Sequence, residues 1–178
     1  MALDYWLRGD IPPGPLKAII LTDIKKVAEI LKRYKNSSLI LLGSQITKFE
    51  EIIGEKVVEK FTEIANAINS DIITSDSRTI KILDSLGFRR YKIIFPLEMV
   101  QKLLRNSLRY EPLVILAGFR YAYGWLLLNS LKHYRPSIRT LSLDPYAQPN
   151  ATWTLPSLPL QIWIKNISRL IEILKAPS

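Results

Sequence analysis

The 178-residue chain has no cysteine and a single histidine, His133. Without thiolates it can form no disulfide, no zinc–thiolate site and no iron–sulfur ligation, so any redox metal in its function belongs to a partner. One histidine and scattered carboxylates leave metal binding without a ligand set, and no G-x-S-x-G elbow supplies a serine nucleophile. His133 sits near the end of a predicted helix, where the dipole favours it without any catalytic role. The dinucleotide fingerprint G-x-G-x-x-G and the P-loop are also missing, which disfavours a classical NAD dehydrogenase. The chain is therefore not expected to catalyse a reaction alone. Long apolar runs are lacking too: the longest, Leu113 to Leu128, is interrupted by Arg120. The N-terminus MALDYWLRGDIPPGP shows no basic region followed by an apolar one. Neither a signal peptide nor a membrane span is expected, and the location expected is cytoplasmic.

What the chain does contain is enough apolar sequence, 48% of residues, for one full core but not for two. Residues 1–178 read as a single α/β domain with an extended, proline-rich N-terminal segment, 1–16. The net charge of +9 is unevenly spread. From Arg78 to Arg109, eight basic residues face only Asp84 and Glu98, a net +6. Such a balance raises nucleic acid or an acidic protein surface as a partner; a solvated face of surface helices explains the run most simply, and nucleic-acid binding through Arg78 to Arg109 is a third reading that no recognised motif accompanies. Abundant isoleucine and lysine lean toward a thermophilic source.

Hydrophobic periodicity alternates between short buried strands and amphipathic helices. Thr22 is placed to cap a helix to about Tyr34, carrying Ile24, Val27, Ile30 and Leu31 inward. Leu39 to Leu42 is a wholly apolar strand ending at Gly43. A helix from Thr47 or Glu55 runs to Ile68, its start blurred by Gly54. Ile72 to Thr74 is a strand, Ser77 to Leu86 a helix, Tyr91 to Phe95 a strand and Leu97 to Leu108 a helix opened by Pro96. Leu113 to Ala117 is a strand, Tyr121 to Leu131 a helix apolar nearly all round, Ile138 to Leu143 a strand, and Leu158 to Leu174 the last helix. Strands joined by helical crossovers imply a mostly parallel sheet of about five to six strands in a three-layer, Rossmann-like domain. The apolar helix, with Trp125, Trp153 and Trp163, exceeds what one small domain should show outside, so a homo-oligomer is expected.

In such a sheet ligands bind beyond the carboxyl ends of strands, where helix N-termini offer unpaired amides. The candidate loops begin at Gly43 and Ser44, at Ser75 through Arg78, at Gly118 through Tyr121, and at Asp144 through Tyr146 to Asn150. Glycine and hydroxyl residues suit close approach to a phosphate, and equally suit an ordinary strand-to-helix turn. Asp144 is placed either to accept from ribose hydroxyls or to cap its own turn. Arg120, Tyr121, Tyr123 and Tyr146 combine a cation with phenols, a set that stacks on a flavin or adenine and pairs with phosphate, or anchors a protein interface.

Two segments carry a resemblance. ILAGFRYAYGWLLL and LSLDPYAQPNA, with Gly118, Tyr121, Gly124, Arg139, Asp144, Tyr146, Pro149, Asn150 and Ala151 on the pattern, resemble the C-terminal half of the epsilon subunit of archaeal CO dehydrogenase/acetyl-CoA synthase. The segment Ile11 to Pro15 and the strand Leu39 to Gly43 resemble that family's first part. The resemblance implies a Rossmann-like domain of the kind that binds NAD or FAD, association with the large (alpha) metal-bearing CO dehydrogenase subunit, and a non-catalytic role in stabilisation or in electron transfer through a bound flavin, FAD. The alternative is a stand-alone flavin- or nucleotide-binding protein of the same fold. On these grounds Gly43, Ser44, Ser75, Arg78, Gly118, Arg120, Tyr121, Asp144, Tyr146 and Asn150 are the candidate cofactor-binding residues.

Overall fold

A computed structural model describes residues 16–105 and 111–176. The proline-rich start through residue 15, Arg109 and the expected last turn of the helix near Leu108 lie outside these residues. The elements in order are β1 (Ile19–Ile20), α1 (Ile24–Arg33), β2 (Ser38–Leu42), α2 (Gln45–Ile53), α3 (Val57–Ile68), β3 (Asp71–Thr74), α4 (Ser77–Ser85), β4 (Tyr91–Ile93), α5 (Pro96–Leu104), β5 (Leu113–Ala117), α6 (Tyr121–Tyr134), β6 (Thr140–Ser142), β7 (Trp153–Thr154) and α7 (Leu160–Lys175). The seven strands form one sheet, in the order β1-β7-β6-β5-β2-β3-β4, and every pairing is parallel.

β2 and β5 are buried along their whole length because both sheet faces are covered. Alternate side chains serve opposite faces. Ile40, Leu42, Ile72, Ile115 and Leu141 enter one core with α1, α2, α3, α4 and α7. Leu39, Leu41, Ile73, Val114 and Leu116 enter the other, under α5 and α6. This is the three-layer architecture expected from the alternation of strands and helices.

Several details differ from the sequence reading. The sheet gains β1 and β7, two-residue strands too short to show a hydrophobic period, in which Ile19 pairs with Trp153 and Ile20 with Thr154. Asp23, not Thr22, caps α1, its carboxylate accepting the Lys25 amide at 2.9 Å. The segment before Ile68 is two helices, since the chain turns left-handed at Gly54 and restarts at Val57. Trp163 is not an outside residue: it is fully buried, and its indole N–H donates to the Leu143 carbonyl at 2.8 Å. Trp125 and Trp153 are half-buried. α6 buries Gly124, Leu127, Leu128 and Leu131 and leaves Tyr123, Leu126 and Tyr134 exposed.

Candidate functional site

Because all strands are parallel, their carboxyl ends open along one edge of the sheet. The chain runs outward from β2 through β3 to β4, then returns to place β5 on the other side of β2 and continues through β6 to β7. The topological switch point thus lies between the ends of β2 and β5, where an open α/β sheet ordinarily forms its ligand crevice.

Here the crevice is filled by the protein's own backbone. The Gly43 amide donates to the Ala117 carbonyl at 2.9 Å, and the Gln45 amide at the start of α2 donates to the Gly118 carbonyl at 2.8 Å. Gly118 has φ +77°, and a Cβ there would stand 2.8 Å from both the Gly43 carbonyl oxygen and the Ile46 Cβ. A Cβ on Gly43 would stand 2.3 Å from the Gly118 oxygen. The two glycines are therefore required by loop-to-loop contact. The Phe119 ring is buried beside them and tilts at 58° against Tyr123, 5.8 Å between centroids.

Asp144, at the end of β6, completes the seal. Its side chain is fully buried, and Oδ1 accepts the Gly118 amide at 2.6 Å and, more loosely, the Phe119 amide at 3.4 Å. Two amides that could face a phosphate thus hold a carboxyl group of the same chain. Oδ2 has no hydrogen-bond partner. Burial pushes the Asp144 carboxyl up to about 7, against which the bonds from Gly118 and Phe119 pull only partly. The neutral form carries its proton on Oδ2, because Oδ1 is the acceptor of both amides.

The loop after Asp144 is tied down by bonds within the chain, although the buried Gln148 Oε1 has no hydrogen-bond partner. The Ala147 amide donates to Ser157 Oγ at 3.1 Å, the Gln148 amide to Thr154 Oγ1 at 2.9 Å, and Gln148 Nε2 to the Tyr121 carbonyl at 3.2 Å. Asn150 is buried; its Oδ1 accepts from Lys132 Nζ at 3.1 Å, and Lys132 also donates to the Leu16 carbonyl. Asn150 therefore ties α6 to this loop and, through Lys132, to the segment leading into β1. Tyr146 alone of the loop is exposed, edge-on to Phe49 at 6.4 Å; partial burial, and secondarily the charge of Asp144, raise its phenol's pKa.

Of the ten candidate residues, the structure brings Gly43, Gly118 and Asp144 into direct contact or one hydrogen-bonded cluster, with Tyr146 beside it. Arg120 is exposed at the start of α6 and Tyr121 is half-buried behind it. Ser44 is exposed before α2. Ser75 and Arg78 belong to a different surface: Arg78 is exposed and paired with Glu51 at 2.8 Å, while neighbouring Asp76 caps α4 through the Thr79 amide at 2.9 Å. Asp144, Asn150 and Gly118 are buried and bonded to groups of the chain itself, while Arg120 is exposed and Tyr121 half-buried, so the five do not share the one exposed surface expected. The residues that sequence reasoning missed are Phe119, which plugs the crevice, and Gln148, which bridges the last loop to α6. Nothing in residue type distinguishes either from an ordinary loop residue.

The fold defines a three-layer, Rossmann-like α/β domain in which a carboxyl group of the chain itself accepts the Gly118 and Phe119 amides at the switch point. Among the described residues, no group of three histidine, cysteine or acidic side chains stands together as a metal site, and no helix is long and apolar enough to cross a membrane. A family model described as CO dehydrogenase beta subunit/acetyl-CoA synthase epsilon subunit matches residues 10–171. The chain belongs to that family.

Proposed function

We propose that the chain is a non-catalytic accessory subunit of a CO dehydrogenase/acetyl-CoA synthase complex, contributing a docking surface to the large subunit that carries the metals. Family membership supports the association. The observation that carries the non-catalytic part is the position of Asp144: its carboxyl group lies on the Gly118 and Phe119 amides of the switch point.

The same observation bears on FAD. The switch-point residues do not fit a flavin nucleotide: the Gly118 and Phe119 amides are taken by Asp144, the Phe119 ring is buried beside Gly43, and both glycines face protein atoms. No described arginine or lysine is buried there, since Arg120 points its cation to the surface and Arg78 pairs with Glu51. Electron transfer through a flavin on this chain, and the stand-alone flavoprotein reading, both lose support on that account.

Self-association is proposed through the outer face of α6. From Tyr121 to Leu131 there is no charged side chain, so two copies of a chain with net charge +9 can meet there without opposed cations. Tyr123 and Leu126 are exposed on this stretch.

Native purification tests the proposal. A tagged chain is expected to co-elute with the large metal-bearing subunit, to release no flavin on denaturation and to exceed monomer mass in light scattering. Recovery of the chain without any CO dehydrogenase subunit overturns the accessory role. A stoichiometric yellow chromophore overturns the account of the mouth, and a monomer at micromolar concentration overturns the role of α6.

A further inference from the structure

At the mouth of the sheet the Gly118 and Phe119 amides are taken, whereas the β4 edge has no neighbouring strand among the described residues. In a parallel ladder one residue directs both N–H and C=O to its neighbour strand and the next directs both away. The Arg90 carbonyl accepts from the Ile72 amide at 2.9 Å and the Ile94 amide donates to the Thr74 carbonyl at 3.2 Å. Residues 90 and 94 therefore face β3, and the backbone groups of Tyr91 and Ile93 face outward. No strand lies beyond β4 among the described residues.

The side chains along this edge are apolar where solvent would favour polar ones. Ile93 is 64% and Phe95 68% exposed, and Leu97 continues the row at the start of α5. Lysine on an edge strand often guards it against pairing. Lys92, however, has its ammonium on Asp71 of the adjacent β3, 2.8 Å away, so it lies along the sheet.

Charge gives the occupant its chemistry. Lys81 on α4, Arg89 before β4, and Lys102 and Arg105 on and after α5 are exposed. Lys102 pairs with Glu98 at 2.9 Å and Arg89 loosely with Asp84 at 3.9 Å, the only acidic residues from Arg78 to Arg105, which leaves the stretch with an excess of positive charge. Arg90 is turned back onto Asn66 and the Ala65 carbonyl and is not part of the set. A duplex nucleic acid would use the cations and leave Ile93 and Phe95 wet. An extended protein segment uses the outward backbone, the apolar row and the cations together.

We propose that β4 is the docking edge for the partner subunit, taking an extended segment of alternating apolar and acidic residues as an eighth strand. This rests on the accessory-subunit reading, and names the surface through which it works. The segment's backbone pairs with Tyr91 and Ile93, its apolar side chains cover Ile93 and Phe95, and its carboxylates meet Arg89 and its neighbours.

The test uses the full chain co-expressed with its large partner subunit. Hydrogen exchange is expected to slow at Tyr91 and Ile93 when the complex forms. Ile93→Pro, which removes an outward amide, and Phe95→Glu, which opposes the acidic segment, are each expected to weaken the complex at least about tenfold. Circular dichroism of each variant verifies its fold; if Ile93→Pro unfolds, Phe95→Glu and the exchange measurement decide alone. A complex that forms with unchanged exchange at β4 and normal affinity for Phe95→Glu overturns this inference and leaves the accessory role intact. Failure to form any complex overturns both. Binding of duplex DNA that Phe95→Glu abolishes reassigns the edge to nucleic acid and overturns the proposal.

Discussion

Two boundaries of the same sheet behave in opposite ways. At the carboxyl ends of β2, β5 and β6, the amides nearest the switch point have partners within the chain, and the closing group is a buried carboxyl. At the β4 edge the backbone faces outward beneath exposed Ile93 and Phe95. The difference teaches that a Rossmann-like sheet does not by itself leave its strand-end amides free for a ligand. A site needs available backbone donors: the Gly118 and Phe119 amides at the mouth are taken by Asp144, whereas those of Tyr91 and Ile93 face outward at the side of the sheet.

The comparison breaks most readily at the glycine contact. Gly118→Ala combines a left-handed backbone with Cβ contacts of 2.8 Å to the Gly43 oxygen and the Ile46 Cβ, and is expected to cost more than about 3 kcal/mol in urea unfolding. Retention of near-normal stability would mean that the mouth opens easily enough to admit a ligand.

Asp144 supplies the next largest effect, and a pH signature. Its carboxyl titrates at about 7 in the fold against 3.8 ordinarily. Between those values the folded chain binds a proton that the unfolded chain has lost, so this group's stabilisation is complete below about pH 4, falls as pH rises toward about 7 and then levels off. The fall is at most on the order of 4 kcal/mol. Asp144→Asn keeps an acceptor for the Gly118 amide and cannot ionise. Its unfolding midpoint is expected to exceed wild type at about pH 8 and to match it more closely at about pH 4. Equal pH dependence of the two proteins would show that Asp144 is not the titrating group. Asp144→Ala leaves two amides without their acceptor and is expected to lose about 2 kcal/mol at low pH.

Trp163→Phe sharpens the same region more gently, removing the bond to the Leu143 carbonyl that supports the strand end before Asp144. A loss of about 1–2 kcal/mol is expected by thermal unfolding, with little change in pH dependence. The smallest effects are at exposed positions, one of them at the β4 edge. Phe95→Glu and Arg78→Ala are expected to change stability by less than about 0.5 kcal/mol, because Phe95 is largely in solvent and the Arg78–Glu51 pair is exposed. Among these variants, only Phe95→Glu should combine normal stability with impaired assembly.

Much of the fold is legible in the residues. The apolar runs Leu39–Leu42 and Leu113–Ala117 can be satisfied only in strands buried on both faces, which demands helices above and below. The short edge elements β1 and β7 were not legible, since two residues carry no period and their pairing joins positions far apart in the chain. The strand-end loops were also in view, including Asp144, Gly118 and Gly43. What residue type left open was their direction: a glycine beside a ligand and a glycine beside another loop look the same. Trp163 admitted two readings, since its place in the stripe Leu160, Trp163, Ile164, Ile167 fits a buried face while a large aromatic residue also suits an interface; the buried one holds.

The sequence alone determined the alternation of the central strands β2 to β6 with helices, the three-layer and mostly parallel architecture, the lack of thiolate chemistry and the resemblance to the family, because these depend on local periodicity, residue type and motif. Only the tertiary structure decided that Asp144 turns inward to amides 25 and 26 positions earlier in the chain, and that Ile93 and Phe95 remain outside. Hydrogen-bond partnership and burial are properties of groups brought together across the fold, and no local pattern specifies which partner a carboxyl group will find.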